Sequence, residues 1–233
     1  MTKSIAVLGA GPGLGQAVAH RYAREGYAVA VVGRRPEPLD RLAGQLRSTG
    51  APAHAIAADL ADTGALPALS ERIRDAVGDP EVLYYGAAAD GFVPVLELTR
   101  ERVDELMVLG VHALLGLVRE FLPAMIAQGE GAVLSAQGAS ARQGNPRIAG
   151  GLALAAQRNL LQALHAEVAG QGVYVGGLYI GAAIQHTPFH ARMEAAKAAG
   201  RPFPPIPSAD PAELADLLWT MHHVTREPEA TYP

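Results

Sequence analysis

Four glycines, Gly9, Gly11, Gly13 and Gly15, stand at alternate positions directly after the apolar run 5–8. An uninterrupted run of that kind suits a strand buried on both faces. Leu14, Ala17, Val18 and Tyr22 then recur at helical spacing. Glycine permits the tight turn between strand and helix and lets the backbone come close to a pyrophosphate. The helix start adds unpaired N–H groups and partial positive charge. The chemistry this spacing serves is the binding of a dinucleotide's phosphates. Arg34 and Arg35 follow the next apolar run, 27–33. An acidic residue there would take the two ribose hydroxyls of NAD, whereas a guanidinium matches a phosphate in charge and in two-pronged hydrogen bonding. The pair therefore favours NADP(H) over NAD(H); the plainer alternative is two solvated arginines opening a helix.

The elements that must hold these groups alternate. Strands are expected at 5–8, 27–32, 53–58, 82–86, 132–136 and 173–180, with a short edge strand at 229–232. Helices are expected from 14 onward and at 36–47, 62–77, 100–127, 149–169 and 211–225. Strand–helix alternation predicts right-handed crossovers and an α/β fold: one Rossmann-type doubly wound parallel sheet of six to seven strands with helices on both faces. No composition shift divides residues 1–233, so a single domain is expected, with the proline-rich stretch 200–210 as a loop before the last helix.

Bulk properties narrow the classes. The chain has 233 residues, 49% hydrophobic and 18% charged, and a formal net charge of −4. Such a chain is globular, and without a basic tract it has no electrostatic footprint for nucleic acid. With no cysteine, disulfides and thiolate metal sites are excluded. Scattered histidines supply no metal-ligand spacing, and His222-His223 reads as a surface pair. No unbroken apolar run of spanning length and no signal-like start are visible, so a cytoplasmic protein without a membrane segment is expected.

This arrangement resembles the short-chain dehydrogenase/reductase family over essentially the whole chain. Gly9, Gly13 and Gly15 match its glycine turn, with Leu8 where threonine is usual. Asp59-Leu60 matches its adenine-binding aspartate, and residues 104–123 its long fourth helix. Ile180-Gly181 stands where the family has Pro-Gly, and Thr187 falls near its cofactor-contacting threonine. The resemblance implies a cofactor site made by Gly9, Gly11, Gly13, Leu14, Gly15, Arg34, Arg35, Asp59, Leu60, Ala87, Ala88, Ile184 and Thr187. It also implies a homodimer or homotetramer through the fourth and fifth helices, which are apolar on more than one face.

The family's Asn, Ser, Tyr and Lys are not found where the resemblance places them. Their positions hold Gly110, Gly138, Gly151 and Ala155. The chain's lysines are Lys3 and Lys197, and neither has a tyrosine four residues before it, so no Tyr-x-x-x-Lys exists in any register. The loss of side chains predicts a wider, less polar pocket. A tyrosine without an ammonium beside it keeps a pKa nearer 10. Candidate replacement donors are Tyr85, Gln137, Asn145 and His186; each also reads as packing or as an ordinary loop residue. Ser140 and Gln143 belong to the same polar loop. Asp90 reads as solvated. The expected activity is an NADP(H)-dependent oxidoreductase acting on a small organic substrate through a non-standard site. Two alternatives stand beside it: a cofactor-binding cyclase, isomerase or lyase, and a dinucleotide-binding protein without catalysis.

Overall fold

The computed structural model describes residues 3–203 and 205–233; Met1, Thr2 and Pro204 of the proline-rich stretch lie outside the described residues. Strands β1 (Ser4–Leu8), β2 (Ala28–Gly33), β3 (Ala53–Ala57), β4 (Val82–Tyr85), β5 (Gly131–Gly138) and β6 (Val173–Ile180) alternate with helices. These are α1 (Leu14–Arg24), α2 (Pro36–Ser48), α3 (Leu66–Val77), α4 (Arg100–Met107), α5 (Ala113–Gln128) and α6 (Gly151–Glu167). After β6 come β7 (Ala183–Ile184), α7 (Pro188–Ala198), β8 (Ser208–Ala209), α8 (Pro211–Thr220) and β9 (Glu229–Tyr232). The main sheet has seven strands in the order β3-β2-β1-β4-β5-β6-β9. Every pairing is parallel. The order reverses between β1 and β4, which opens a crevice at the strands' carboxyl ends.

Strand alternation divides the core into two layers. Ile5, Val7, Val29, Val31 and Tyr84 face α1, α2 and α8. Ala6, Leu8, Ala30, Val32 and Tyr85 face α3, α5 and α6. The fully buried runs of β1 and β4 are what a sheet covered on both sides requires.

Four features depart from the expectations above. The helix expected at 100–127 is broken by a π-helical turn, Val108–His112, between α4 and α5. Apolar periodicity does not reveal such a turn, because one extra residue barely disturbs the stripe. By length and composition alone, Arg100–Gln128 (29 residues, mean hydropathy 1.6) is long and apolar enough to cross a membrane; Leu114, Leu117, Val118, Phe121 and Met125 are nevertheless buried in the second core layer. Helix α7 was not anticipated. Its apolar residues form no stripe, and Met193 and Ala196 are its buried residues. Finally, His222-His223 is not a surface pair. A second π-helical turn, Met221–Thr225, turns His222 inward, where it is 5% exposed and its Nδ1 lies 3.0 Å from the Tyr22 hydroxyl.

Candidate functional site

The loop after β1 folds back on the sheet through the Gly9 and Ala10 amides, which both donate to the Val32 carbonyl at 3.0 and 2.9 Å. Three glycines are required by close approach. A Cβ on Gly9 (φ 93°) would meet the Ala87 nitrogen at 2.7 Å. One on Gly13 (φ 94°) would meet the Thr187 methyl at 2.8 Å, and one on Gly15 the Gly9 carbonyl oxygen at 2.4 Å. Gly11 is different: nothing lies within 4 Å of its missing Cβ, and it is exposed. The turn is thus packed on three sides and open on the fourth. Gly13 precedes α1 with no side-chain cap, and the first turn carries no acidic residue. The Leu14 and Gly15 amides make no hydrogen bond among the described residues and can meet an anion, whereas the Gln16 amide already donates to the Gly11 carbonyl at 3.3 Å.

Of the residues that the resemblance assigned to the cofactor, Gly9, Gly13, Gly15, Ala87, Ile184 and Thr187 come together here. Ala87 touches Gly9, and Ile184, Gln185 and Thr187 lie over Gly13. Thr187 is held twice: its hydroxyl donates to the Ile184 carbonyl at 2.7 Å and accepts from the His190 amide at 3.2 Å. Arg34 and Arg35 are exposed at the end of β2, and among the described residues neither has an acidic partner. Asp59 accepts from the Ala61 amide through Oδ1 at 3.0 Å. Leu14 and Leu60 are buried in the core, so their side chains do not reach the crevice and only their backbone groups remain for a ligand. Ala88 is exposed beyond Ala87. Gln185 was missed; its contact with Gly13 is made through the carbonyl, which any residue type can supply.

The candidate proton donors fare differently. Tyr85 is fully buried in the second core layer. Its hydroxyl donates to the Leu109 carbonyl at 2.6 Å, inside the π-turn, and burial pushes its pKa far above the ordinary phenol value. It is a structural tyrosine. Tyr84 is buried on the opposite face. Gln137 is 5% exposed, with Nε2 at 3.5 Å from Ser135 Oγ, so it too points into protein. His186 is exposed at a left-handed φ of 67°, on the turn that carries Thr187. Asn145 accepts from the Arg147 amide at 2.9 Å and lines a cavity. Asp90 is not merely solvated: it receives the Phe92 amide at 3.1 Å and pairs with Arg192 at 3.4 Å.

That cavity measures about 450 Å³ and lies where the loop after β5 meets α6. Gly151, Ala155, Ser140, Arg142, Asn145 and Val95 are in its wall. The expected widening is not general. A Cβ on Gly110 would stand 2.9 Å from the Ala153 Cβ, and one on Gly151 2.9 Å from the Ser140 Cβ. Neighbouring chain has moved into those two spaces, as close packing demands of an interior. Gly138 retains room, with its nearest neighbours at 3.7 and 3.8 Å, and Ala155 is exposed to the cavity. The start of α6 is further sealed by the β4–α4 loop. Gly150 donates to the Gly91 carbonyl at 3.1 Å and Ala149 to that of Val93 at 3.0 Å.

Residues 3–197 match the short chain dehydrogenase family. The chain belongs to that family. Sorbitol dehydrogenase of Cereibacter sphaeroides is 32% identical over 129 residues, which are 55% of this chain and 49% of that protein. The chain thus matches about half the length of this relative. The 1-deoxy-11-beta-hydroxypentalenate dehydrogenase of Streptomyces exfoliatus is 29% identical over 226 residues, covering 94% of this chain and 78% of that protein. Among solved structures, a Beutenbergia cavernae protein described as an NAD(P)-dependent gluconate 5-dehydrogenase superposes with a TM-score of 0.82. It is 28% identical, covers 98% of this chain and 94% of its own, and holds NADP at low occupancy. Further structures of the same fold hold NADP or NADPH.

Proposed function

We propose that this chain is a single-domain NADP(H)-dependent oxidoreductase that acts on a small organic substrate without a Tyr-x-x-x-Lys pair. The observation that carries the cofactor half is the asymmetry of the glycine turn: three glycines closed against protein and Gly11 open in front of an uncapped helix start. A diphosphate fits that opening, because the backbone N–H groups and the helix dipole both favour it. The Gly13, Leu14 and Gly15 amides would hold the phosphates as they pass Gly11, whose own amide is bonded to the Gly9 carbonyl at 2.8 Å, with the Thr187 segment closing over them. Arg34 and Arg35 would face the ribose phosphate, and Asp59 the adenine. NADP-bound relatives of the same fold support the assignment. Leu115, exposed on α5, supports association of copies through that helix and the neighbouring α6.

Bound NADP(H) gives or takes a hydride at its nicotinamide. The protein orients substrate beside it and excludes water, and orientation alone contributes much of such a rate. What the chain lacks is a tuned phenol, worth typically ~10²–10⁴-fold in general acid catalysis. Tyr85 does not replace it, since its hydroxyl is committed to Leu109. Activated C=C and C=N bonds need less help from a side-chain acid than a ketone does. Following NADPH absorbance with enals, imines and unactivated ketones tests the reading. Turnover of enals or imines with slow or absent ketone reduction is expected; fast ketone reduction would contradict it.

A further inference from the structure

The cavity at the start of α6 has a one-sided chemistry. Its wall contains no aspartate or glutamate, and its cation is Arg142. Arg142 is exposed and has no acidic partner among the described residues. Asn145 Oδ1 accepts the Arg147 amide and its NH₂ remains as a donor, while Gln143 in the same wall adds a donor and an acceptor. Ser140 Oγ makes no hydrogen bond among the described residues. The remaining surface is largely apolar, with Val95, Pro146, Ile148 and Leu152. An open, largely apolar cavity whose one charged group is a guanidinium is matched by an apolar body ending in an anionic group.

The position of Ser140 sharpens this. A Cβ on Gly151 would lie 3.3 Å from Ser140 Oγ, and one on Gly138 3.7 Å from it. The hydroxyl therefore sits between the roots of two side chains that the resemblance would have placed there. Glycine at both positions is what leaves it room and keeps it unshielded.

We propose that this cavity takes a carboxylate-bearing, otherwise apolar compound, with Arg142 binding the carboxylate and the Ser140 hydroxyl donating to an acceptor oxygen of the same molecule. The proposal rests on the function proposed above, since it names that site's substrate class, but it is tested apart from it. Hexanoate and its neutral analogue hexanamide are titrated into the full chain, with and without NADPH, and binding is read by saturation-transfer NMR. Hexanoate is expected to bind more tightly than hexanamide. Arg142→Gln should weaken hexanoate about tenfold or more, the size of a lost charge-assisted contact, and leave hexanamide nearly unchanged. Ser140→Ala should weaken both ligands by a similar, smaller factor. Arg142→Lys keeps the charge without the fork and should fall between wild type and Arg142→Gln, which guards against a misfolded variant. Equal binding of acid and amide, absence of binding by both, or full hexanoate affinity in Arg142→Gln would overturn the proposal. Loss of NADPH binding with the hexanoate pattern intact would overturn the cofactor assignment and leave this one standing.

Discussion

Gly15 and Gly11 sit four residues apart and serve opposite ends. A methyl group on Gly15 runs into the Gly9 carbonyl at 2.4 Å, so Gly15→Ala must shift backbone. It is expected to destabilise the fold by roughly 1–3 kcal/mol or more, as overpacking does, and the loss is read in denaturant unfolding. A methyl group on Gly11 meets nothing. Gly11→Ala should leave stability within about 0.5 kcal/mol, as for a surface change, yet weaken NADPH binding by occupying the diphosphate's approach. If Gly11→Ala binds NADPH as well as wild type does, the phosphates are not held there. The arginines give a second residue-level test. Replacing Arg34 and Arg35 by alanine should cost NADPH more affinity than NADH, because the 2′-phosphate is the group they would pair with. An equal loss for both dinucleotides would mean that the guanidiniums are ordinary solvated side chains.

At the scale of elements, the crevice is framed by pieces distant in sequence. Of the chain's four phenylalanines, three converge there: Phe92 stacks on Phe189 at 4.6 Å, and Phe189 tilts against Phe203 at 5.9 Å. With the Asp90–Arg192 pair they tie the β4–α4 loop to α7. Phe189→Ala should loosen this clasp and show as faster amide exchange in α7 with little change in the sheet; unchanged exchange would mean that the stack bears no load. At the far edge, β9 is fastened to α6 by Glu229, which accepts from Arg158 Nε and NH2 at 2.8 and 2.7 Å. The sheet and the glycine turn were legible from sequence because apolar runs and positive-φ glycines leave local marks. Helix α7 was not, because its burial is slight and unpatterned, although Thr187-Pro188 is a helix-start signal in hindsight. The closing of space at Gly110 and Gly151 was illegible for another reason. Sequence shows that a side chain is missing, but only packing decides whether a cavity or a neighbour takes its place.

For the whole molecule, the aromatic cluster at the sheet's amino-terminal edge makes stability depend on pH. Burial, with the charges of His223, Arg226 and Lys3, pushes the pKa of His222 down to about 3. The unfolded chain, with a histidine near 6.5, binds the proton that the folded chain refuses. Stability from this group is present above pH 6.5 and falls as pH drops from there toward 3, by at most about 1.4 kcal/mol per pH unit. At roughly 2–4 °C per kcal/mol for a chain of this size, the Tm should decline through that window. His222→Gln should flatten the decline, at the cost of a lower Tm at neutral pH from the altered contact with Tyr22. A slope unchanged in that variant would place the acid sensitivity elsewhere.

Fluorescence titration of the purified chain with NADPH and NADH in parallel measures directly whether the glycine turn seats a phosphorylated dinucleotide. The expected result is saturable binding of both at sub-millimolar concentration, with NADPH the tighter of the two; binding of neither, or a clear preference for NADH, would contradict it.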